Sequence, residues 1–246
     1  YYTSLKLNGT VTNSQGKQVY QFEKKIQLEF SKEQMAQISR RPLSIRDMFP
    51  LIPGEFRLSI LLKNEISKEF TSVETSISIP PPGGQISLSP LILAYDAQPK
   101  STPQGRLRPF YLNGQQLYFQ GNRVFLQDDV LYLGFQVKGL TAQFKEAGEI
   151  EIRFLKDGQI FKSQKVKPAP LGGELQDFVL PFPLKDFPPA HYSVEVSLRL
   201  ADRELISATD EFDITYSSGI PRPWVYAKLL PPSTDIVYDY LIGTQF

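Results

Sequence analysis

One imidazole, one pair of adjacent carboxylates and one run of aromatic rings are the residues of this chain that offer chemistry. His191 is the only histidine among 246 residues, and so the one side chain whose unperturbed pKa suits general base work at neutral pH. Any Ser-His-Asp arrangement would depend on it, yet no G-x-S-x-G elbow supplies a partner serine. His191 falls in the outward phase of an alternating run and reads as an exposed or turn-capping residue. With no Cys there is no disulfide, thiolate metal site, Cys nucleophile or thioether-linked haem, and one His excludes multi-His metal centres. Asp128-Asp129 lacks the D-x-D-x-D-G spacing of a calcium loop and reads as a turn between strands. Glu149 and Glu151 alternate with Ile150 and Ile152, which places them on a solvated face. No catalytic residue, metal ligand or cofactor is therefore expected.

Other motifs carry less. Pro82-Gly83-Gly84 and Leu171-Gly172-Gly173 lack the following Lys-Ser/Thr and helix that would cradle a phosphate. The basic doublets Lys24-Lys25 and Arg40-Arg41, with Lys162, Lys165 and Lys167, lack interleaved stacking aromatics within a recognised nucleic-acid-binding fold and read as solvated faces. Twenty-seven Lys and Arg against 26 Asp and Glu leave a net charge of +1, so no global field draws nucleic acid or an anionic membrane. Asn8-Gly9-Thr10 satisfies the N-x-S/T sequon and reads as a turn.

Phe110, Tyr111, Tyr118, Phe119, Phe125 and Tyr132 are the best nominees for a ligand platform, because exposed flat rings stack on sugar or peptide faces. Alternation would bury about half of such a set. Trp224, beside Arg222 and between Pro223 and Val225, is a second nominee, since Trp and Arg are over-represented at interface hot spots. The interaction candidates are thus Arg222, Trp224, Phe110, Tyr111 and Tyr118.

The elements that must position these residues are strands. Tyr192, Val194, Val196, Leu198 and Leu200 alternate with His191, Ser193, Glu195, Ser197 and Arg199, the period of a half-buried antiparallel strand. Leu131 to Val137, Ile150 to Phe154 and Phe212 to Tyr216 repeat that pattern. Asn13-Ser14-Gln15-Gly16, Asn113-Gly114 and Asp157-Gly158 sit between such runs as hairpin turns should. Gln115 to Gly121 resembles a protease cleavage sequence but continues into Val124-Phe125-Leu126 and reads as strand. Only 32–39 and 140–145 look locally helical. Twenty prolines, about 8% against the usual 5%, fit strand ends and turns better than helix interiors.

Composition, 41% hydrophobic and 22% charged, is that of a folding chain, and the length suits one large domain or two ordinary ones. Pro80-Pro81-Pro82-Gly83-Gly84 is the strongest break. An internal repeat supports two domains. Pro53-Gly54-Glu55-Phe56-Arg57-Leu58 parallels Pro189-Ala190-His191-Tyr192-Ser193-Val194, the way the penultimate strand of many immunoglobulin-like sandwiches begins, its aromatic ring pinning the corner. The expected layout is a first β-sandwich over 1–80, a Pro/Gly linker at 81–85, and a larger second sandwich over 86–217. Loops are expected at 98–106 and 167–173. An extended exit over 218–246 leads to a possible tetratricopeptide helix start, where Ile242-Gly243-Thr244-Gln245-Phe246 matches an L-G-x-x-Y element. The chain opens Tyr1-Tyr2-Thr3 without Met or an apolar leader, so any targeting segment is expected upstream or removed, and no run reaches the 18 apolar residues of a spanning helix.

At this point the chain resembles the β-rich region of bacterial secreted proteins of the GWxTD-domain and tetratricopeptide-containing family. The resemblance is carried by Pro42-Leu43-Ser44-Ile45-Arg46-Asp47-Met48-Phe49-Pro50-Leu51-Ile52-Pro53-Gly54-Glu55-Phe56-Arg57-Leu58, by Lys63-Asn64-Glu65-Ile66-Ser67-Lys68-Glu69-Phe70-Thr71-Ser72, by Arg108-Pro109-Phe110 and by Pro221-Arg222-Pro223-Trp224-Val225, and it spans nearly the whole chain. The namesake G-W-x-T-D motif is absent, the one Trp lying in Pro-Trp-Val, so no activity attached to that motif transfers. The resemblance implies an extracytoplasmic accessory protein, periplasmic or at the cell surface.

The expectation is an all-β chain of two tandem immunoglobulin-like (fibronectin III-like) β-sandwiches with an extended C-terminal tail. It is expected to be a non-enzymatic structural or protein-interaction module of a longer chain or larger assembly, with a carbohydrate-binding module as the alternative. A protein partner or a homo-oligomer is expected, a glycan is a possible ligand, and no nucleic acid or membrane span is.

Overall fold

The computed structural model describes residues 1–32, 34–35, 43–46, 48–81, 86–100, 108–169, 173, 175–201, 203–216 and 224–227. The protein is all-β. It splits into two compact units, one of Tyr1–Leu43 with Pro50–Pro82, the other of Ser44–Phe49 with Gly83–Phe246. The later division falls inside the Pro80 to Gly84 break.

In the first unit β1 (Tyr2–Asn13), β2 (Gln18–Glu29), β4 (Gly54–Asn64) and β5 (Phe70–Ile79) form an antiparallel sheet in the order β2-β1-β4-β5. Register explains its two faces. Leu7, Gly9 and Val11 of β1 lie opposite Leu62, Ile60 and Leu58 of β4, while Lys6, Asn8 and Thr10 lie opposite Lys63, Leu61 and Ser59. One face is therefore apolar and the other chiefly polar. Gly9 is required by close approach: a Cβ there would lie 2.0 Å from the end of the Phe22 ring, which covers the gap that glycine leaves. Asn13 Oδ1 accepts from the Gln15 and Lys17 amides and Gly16 takes φ +74°, closing the first hairpin at the expected turn. Where two facing sheets are expected over 1–80, the described residues of the first unit form this one sheet. The strand β3 (Leu43–Arg46) pairs instead with β18 (Trp224–Ala227), and Ser44–Phe49 group with the second unit.

The second unit is a β-sandwich. One sheet runs β11 (Val124–Leu126), β17 (Arg203–Thr215), β16 (His191–Leu200), β13 (Gly148–Lys156), β14 (Gln159–Val166). The other runs β15 (Gln176–Pro183), β12 (Val130–Lys138), β6 (Ser87–Leu88), with β7 (Ile92–Ala94) also on β12. Between them lies a single core in which Leu133, Phe135, Ile152, Phe154, Val194 and Val196 are wholly buried. Each such side chain contributes about 1.5–3 kcal/mol of transfer free energy. Tyr192 starts β16 at the core, its ring stacked on Phe212 at 5.6 Å and its hydroxyl donating to the Pro188 carbonyl at 2.8 Å. That is the corner device expected of this strand.

The two sheets β2-β1-β4-β5 and β14-β13-β16-β17 share one connectivity, and a register shift occurs at Val11/Thr12 in one and at Phe154/Leu155 in the other. Because Val11 pairs with Leu58 and Phe154 with Val194, the two irregularities fall at the same place in the repeat. The spacing agrees too: residues 47–53 separate β3 from β4 and residues 184–190 separate β15 from β16, seven in each. The repeat seen in the sequence is thus a repeat of fold.

Both stretches that look locally helical hold a helical turn, the second shifted from the expected 140–145 to 142–147. Ser31 and Gln34 exchange side-chain bonds with each other's amides, a capping box opening the helical turn at Lys32, and the rest of 32–39 lies outside the described residues beyond Met35. Helix α1 (Ala142–Ala147) is capped by Thr141 and buries Phe144.

The expected loop at 98–106 is corrected in part. Gln98 and Pro99 belong to β8 (Asp96–Pro99), which pairs with β10 (Gln115–Tyr118) because the Gln116↔Gln98 and Leu117↔Ala97 register supplies its ladder, and β9 (Tyr111–Leu112) completes a three-stranded sheet. Residues 101–107 lie outside the described residues. In 167–173 the described part is held by Gln176, whose amide accepts from Ala169 N–H and donates to Ala169 C=O, both at 2.8 Å.

Candidate functional site

The aromatic nominees divide between two cores. Phe125, 1% exposed, enters the sandwich core edge-on to Phe212. Phe110, 8% exposed, joins Ile92, Ala94, Leu112 and Leu117 in a second, smaller core under the β8-β10-β9 sheet. Phe119 meets Phe110 edge-on at 4.5 Å, and Tyr132 packs on the same cluster. The β8-β10-β9 sheet, an insertion between β7 and β11, settles on β12 because Gly134 leaves room: a Cβ there would lie 2.5 Å from Leu117 Cδ1 and 3.2 Å from Leu112 Cδ1. Nothing in the alternation of β12 singles out Gly134, and only the packed insertion shows why it is glycine.

Tyr111 and Tyr118 keep partial exposure. The Tyr111 hydroxyl donates to the Lys100 carbonyl at 2.8 Å, and Lys100 Nζ donates to the Tyr118 hydroxyl at 2.6 Å while lying 5.4 Å from that ring's centroid. This cation held in line with the phenolic C–O bond is the local chemistry of the insertion. Gln116 beneath it is buried and donates to the Pro109 carbonyl at 2.8 Å. Phe110 is therefore an internal packing residue, whereas Tyr111 and Tyr118 remain partly exposed. Trp224 lies in β18, with its side chain outside the described residues, and Arg222 lies outside them altogether.

His191 sits on the open face of the five-stranded sheet. Nδ1 is 2.9 Å from Asp213 Oδ1, its cross-strand neighbour, and Nε2 is 3.8 Å from Glu211 Oε2. All three side chains are more than half exposed. The hydrogen bond of His191 thus goes to a carboxylate across the strand pair. Asp129 accepts from the Leu126 amide at 2.8 Å and closes the turn between β11 and β12, as its position suggests. Among the described residues no group of three His, Asp or Glu side chains is placed to hold a metal ion.

The rest of that face is an ion-pair lattice. Lys165 reaches Glu149 at 2.7 Å, Arg199 reaches Glu151 at 3.8 Å, and Arg153 reaches Glu195 at 2.6 Å and Glu204 at 3.9 Å. The hydrogen bond from Lys165 holds the Glu149 carboxyl below its ordinary range, and the same bond raises the Lys165 ammonium. Ser197, expected in solvent, is fully buried. It lies in register with Glu151 and Ser207, between the Arg153–Glu195 and Arg199–Glu151 pairs, so longer neighbours roof over a small side chain. On the first unit Glu65 accepts from the Ser4 hydroxyl at 2.6 Å and pairs with Lys25 at 3.0 Å, and those bonds, Ser4 first, lower its carboxyl pKa.

No helix of the described residues is long and apolar enough to cross a membrane. No family model matches the chain. No curated protein matches it. Among solved structures it is similar to red sea bream transglutaminase, at 8% identity and a TM-score of 0.24, over 88% of this chain and 27% of that one. The chain thus spans about a quarter of that protein's length, and its fold is described by its own sheets.

Proposed function

We propose that this chain is a non-enzymatic, extracytoplasmic structural and protein-interaction module of a longer protein or larger assembly, in line with its resemblance to the GWxTD and tetratricopeptide-containing family. The observation that carries the reading is the commitment of its reactive side chains to the fold. The one imidazole is taken up by a cross-strand carboxylate, the charges of the outer sheet face pair with one another, and Phe110 and Phe125 are buried. What remains for contact are sheet edges with exposed apolar residues such as Phe70 and Val73. Fractionation of the producing bacterium with in-cell cross-linking tests this. Recovery of the protein from the envelope in covalent species larger than its own mass is the expected result, and recovery from the cytoplasm as a lone chain would refute it.

Carbohydrate binding is the second reading, favoured by the partial exposure of Tyr111 and Tyr118 around Lys100. A glycan array probed with the purified chain and with Tyr118→Ala decides it: a signal lost in the variant supports it, and a blank array ends it.

A further inference from the structure

We propose that the outer edge of β5 is a docking edge for a second copy of this chain, pairing β5 with β5 antiparallel about a two-fold axis at Thr75; this deepens the interaction reading and rests on it. β5 ends the sheet β2-β1-β4-β5, and seven consecutive residues, Phe70 to Ser76, are exposed, Phe70 at 73% and Val73 at 56%. The fold repeat shows what this edge lacks. Its counterpart β17 carries β11 as a parallel neighbour over Asp213 to Thr215, and the rest of that strand bears Arg203, Glu204, Asp210 and Glu211. Charges and a covering strand are the usual means of keeping an edge from pairing. β5 has ten residues, no proline, no basic residue and one acid, Glu74, and among the described residues nothing pairs with its outer side.

Backbone direction narrows the register, and apolar pairing selects within it. The Asn64 amide bonds the Glu69 carbonyl at the hairpin, so by the alternation of an antiparallel ladder the odd-numbered residues of β5 bond β4 and the even-numbered ones turn N–H and C=O outward. Self-pairing must then match even with even. A two-fold axis at Glu74 would set two carboxylates face to face. Axes at Val73 and at Thr75 both keep the carboxylates apart, but only at Thr75 does Val73 meet Ile77 and extend the apolar side; Glu74 then meets Ser76 and Ser72 meets Ser78. Four outward residues of each copy are then bonded and no like charges are opposed. Glu74, already accepting from Ser59 at 2.9 Å, keeps its carboxylate on the polar face.

Light scattering across a micromolar concentration series, with the whole 246-residue chain, tests the pairing. The expected result is a shift from 28.0 kDa to twice that mass, abolished by Thr75→Lys, which opposes two ammonium groups on the axis, and by Ser76→Pro, which removes an outward amide without touching the ladder to β4. Far-UV circular dichroism establishes that each variant is folded. Because the chain has no Cys, Thr75→Cys offers a single thiol, and oxidation should yield a covalent dimer where Val73→Cys does not. A wild-type monomer throughout, dimers that survive both substitutions, or equal cross-linking at both positions would each overturn the proposal. A monomeric purified chain recovered from cells in a larger envelope complex would sink self-pairing while leaving the interaction reading intact.

Discussion

Replacing Tyr192 by Phe isolates one hydrogen bond. The ring is fully buried, stacked on Phe212 and edge-on to Phe187 at 5.5 Å, and phenylalanine keeps all of that packing. What disappears is the 2.8 Å bond to the Pro188 carbonyl. Pro188 is itself exposed, so water can take the place of the phenol, and the loss lies in the ordinary net range of about 0.5–1.5 kcal/mol, not the larger penalty of a stranded buried acceptor. For a unit of this size each kcal/mol lowers the melting midpoint by about 2–4 °C. The pH dependence gives a second handle. Burial, and after it the negative charge of Asp157, raise the Tyr192 pKa above its ordinary 10.0. A group raised in the folded state stabilises fully below its unfolded value, and that contribution is lost as pH rises through the folded value. Phenylalanine does not titrate, so the gap between wild type and variant should be constant around neutrality and narrow in alkali. Differential scanning calorimetry of both proteins from pH 7 to 11 measures it. An unchanged midpoint at neutral pH, or a gap that widens with pH, would refute the corner argument.

Gly134→Val should cost about 1–3 kcal/mol by driving side-chain atoms into Leu117 and Leu112; a denaturation midpoint equal to wild type would mean that the insertion does not rest on β12. Glu149 should titrate below its ordinary 4.5 by NMR and return toward it in Lys165→Met, and its stabilising contribution is present above the unfolded carboxylate value and lost as pH falls through the native one. Gln176→Ala leaves both Ala169 backbone groups without their partner. Stability should fall by about 1–3 kcal/mol and the Ala169 amide should exchange faster with deuterium, whereas unchanged exchange would show that Gln176 does not hold the segment.

Much of the fold is written locally. Alternation along β16 buries Tyr192, Val194, Val196 and Leu198 as the pattern requires, because side-chain direction in a strand follows from the backbone alone. Asn113-Gly114 and Asp157-Gly158 take positive φ throughout, as their hairpins need. The repeat of Pro53 to Leu58 in Pro189 to Val194 marks two strands that prove to occupy the same place in two sheets of one connectivity. Candidate sites were less legible. Phe110 and Phe125 lie in one aromatic run, yet one fills the small core of the insertion and the other the sandwich. Phe110 sits in the turn before β9 and Phe125 within β11, and which core receives each depends on strands distant in the chain.

Sequence by itself determined that this chain is made of strands, where its hairpins turn, and that no Cys or multi-His chemistry is available. Tertiary structure alone decided which edges are closed and which surfaces remain. Val124 to Leu126 cover part of β17 only because residues nearly ninety positions later lie beside them, while nothing among the described residues covers the matching side of β5. A strand's faces are set by its own period of two, but its edges are satisfied by whatever backbone the fold brings alongside. Edge pairing is therefore a property of long-range contacts, and it is there that the surface of this protein becomes specific.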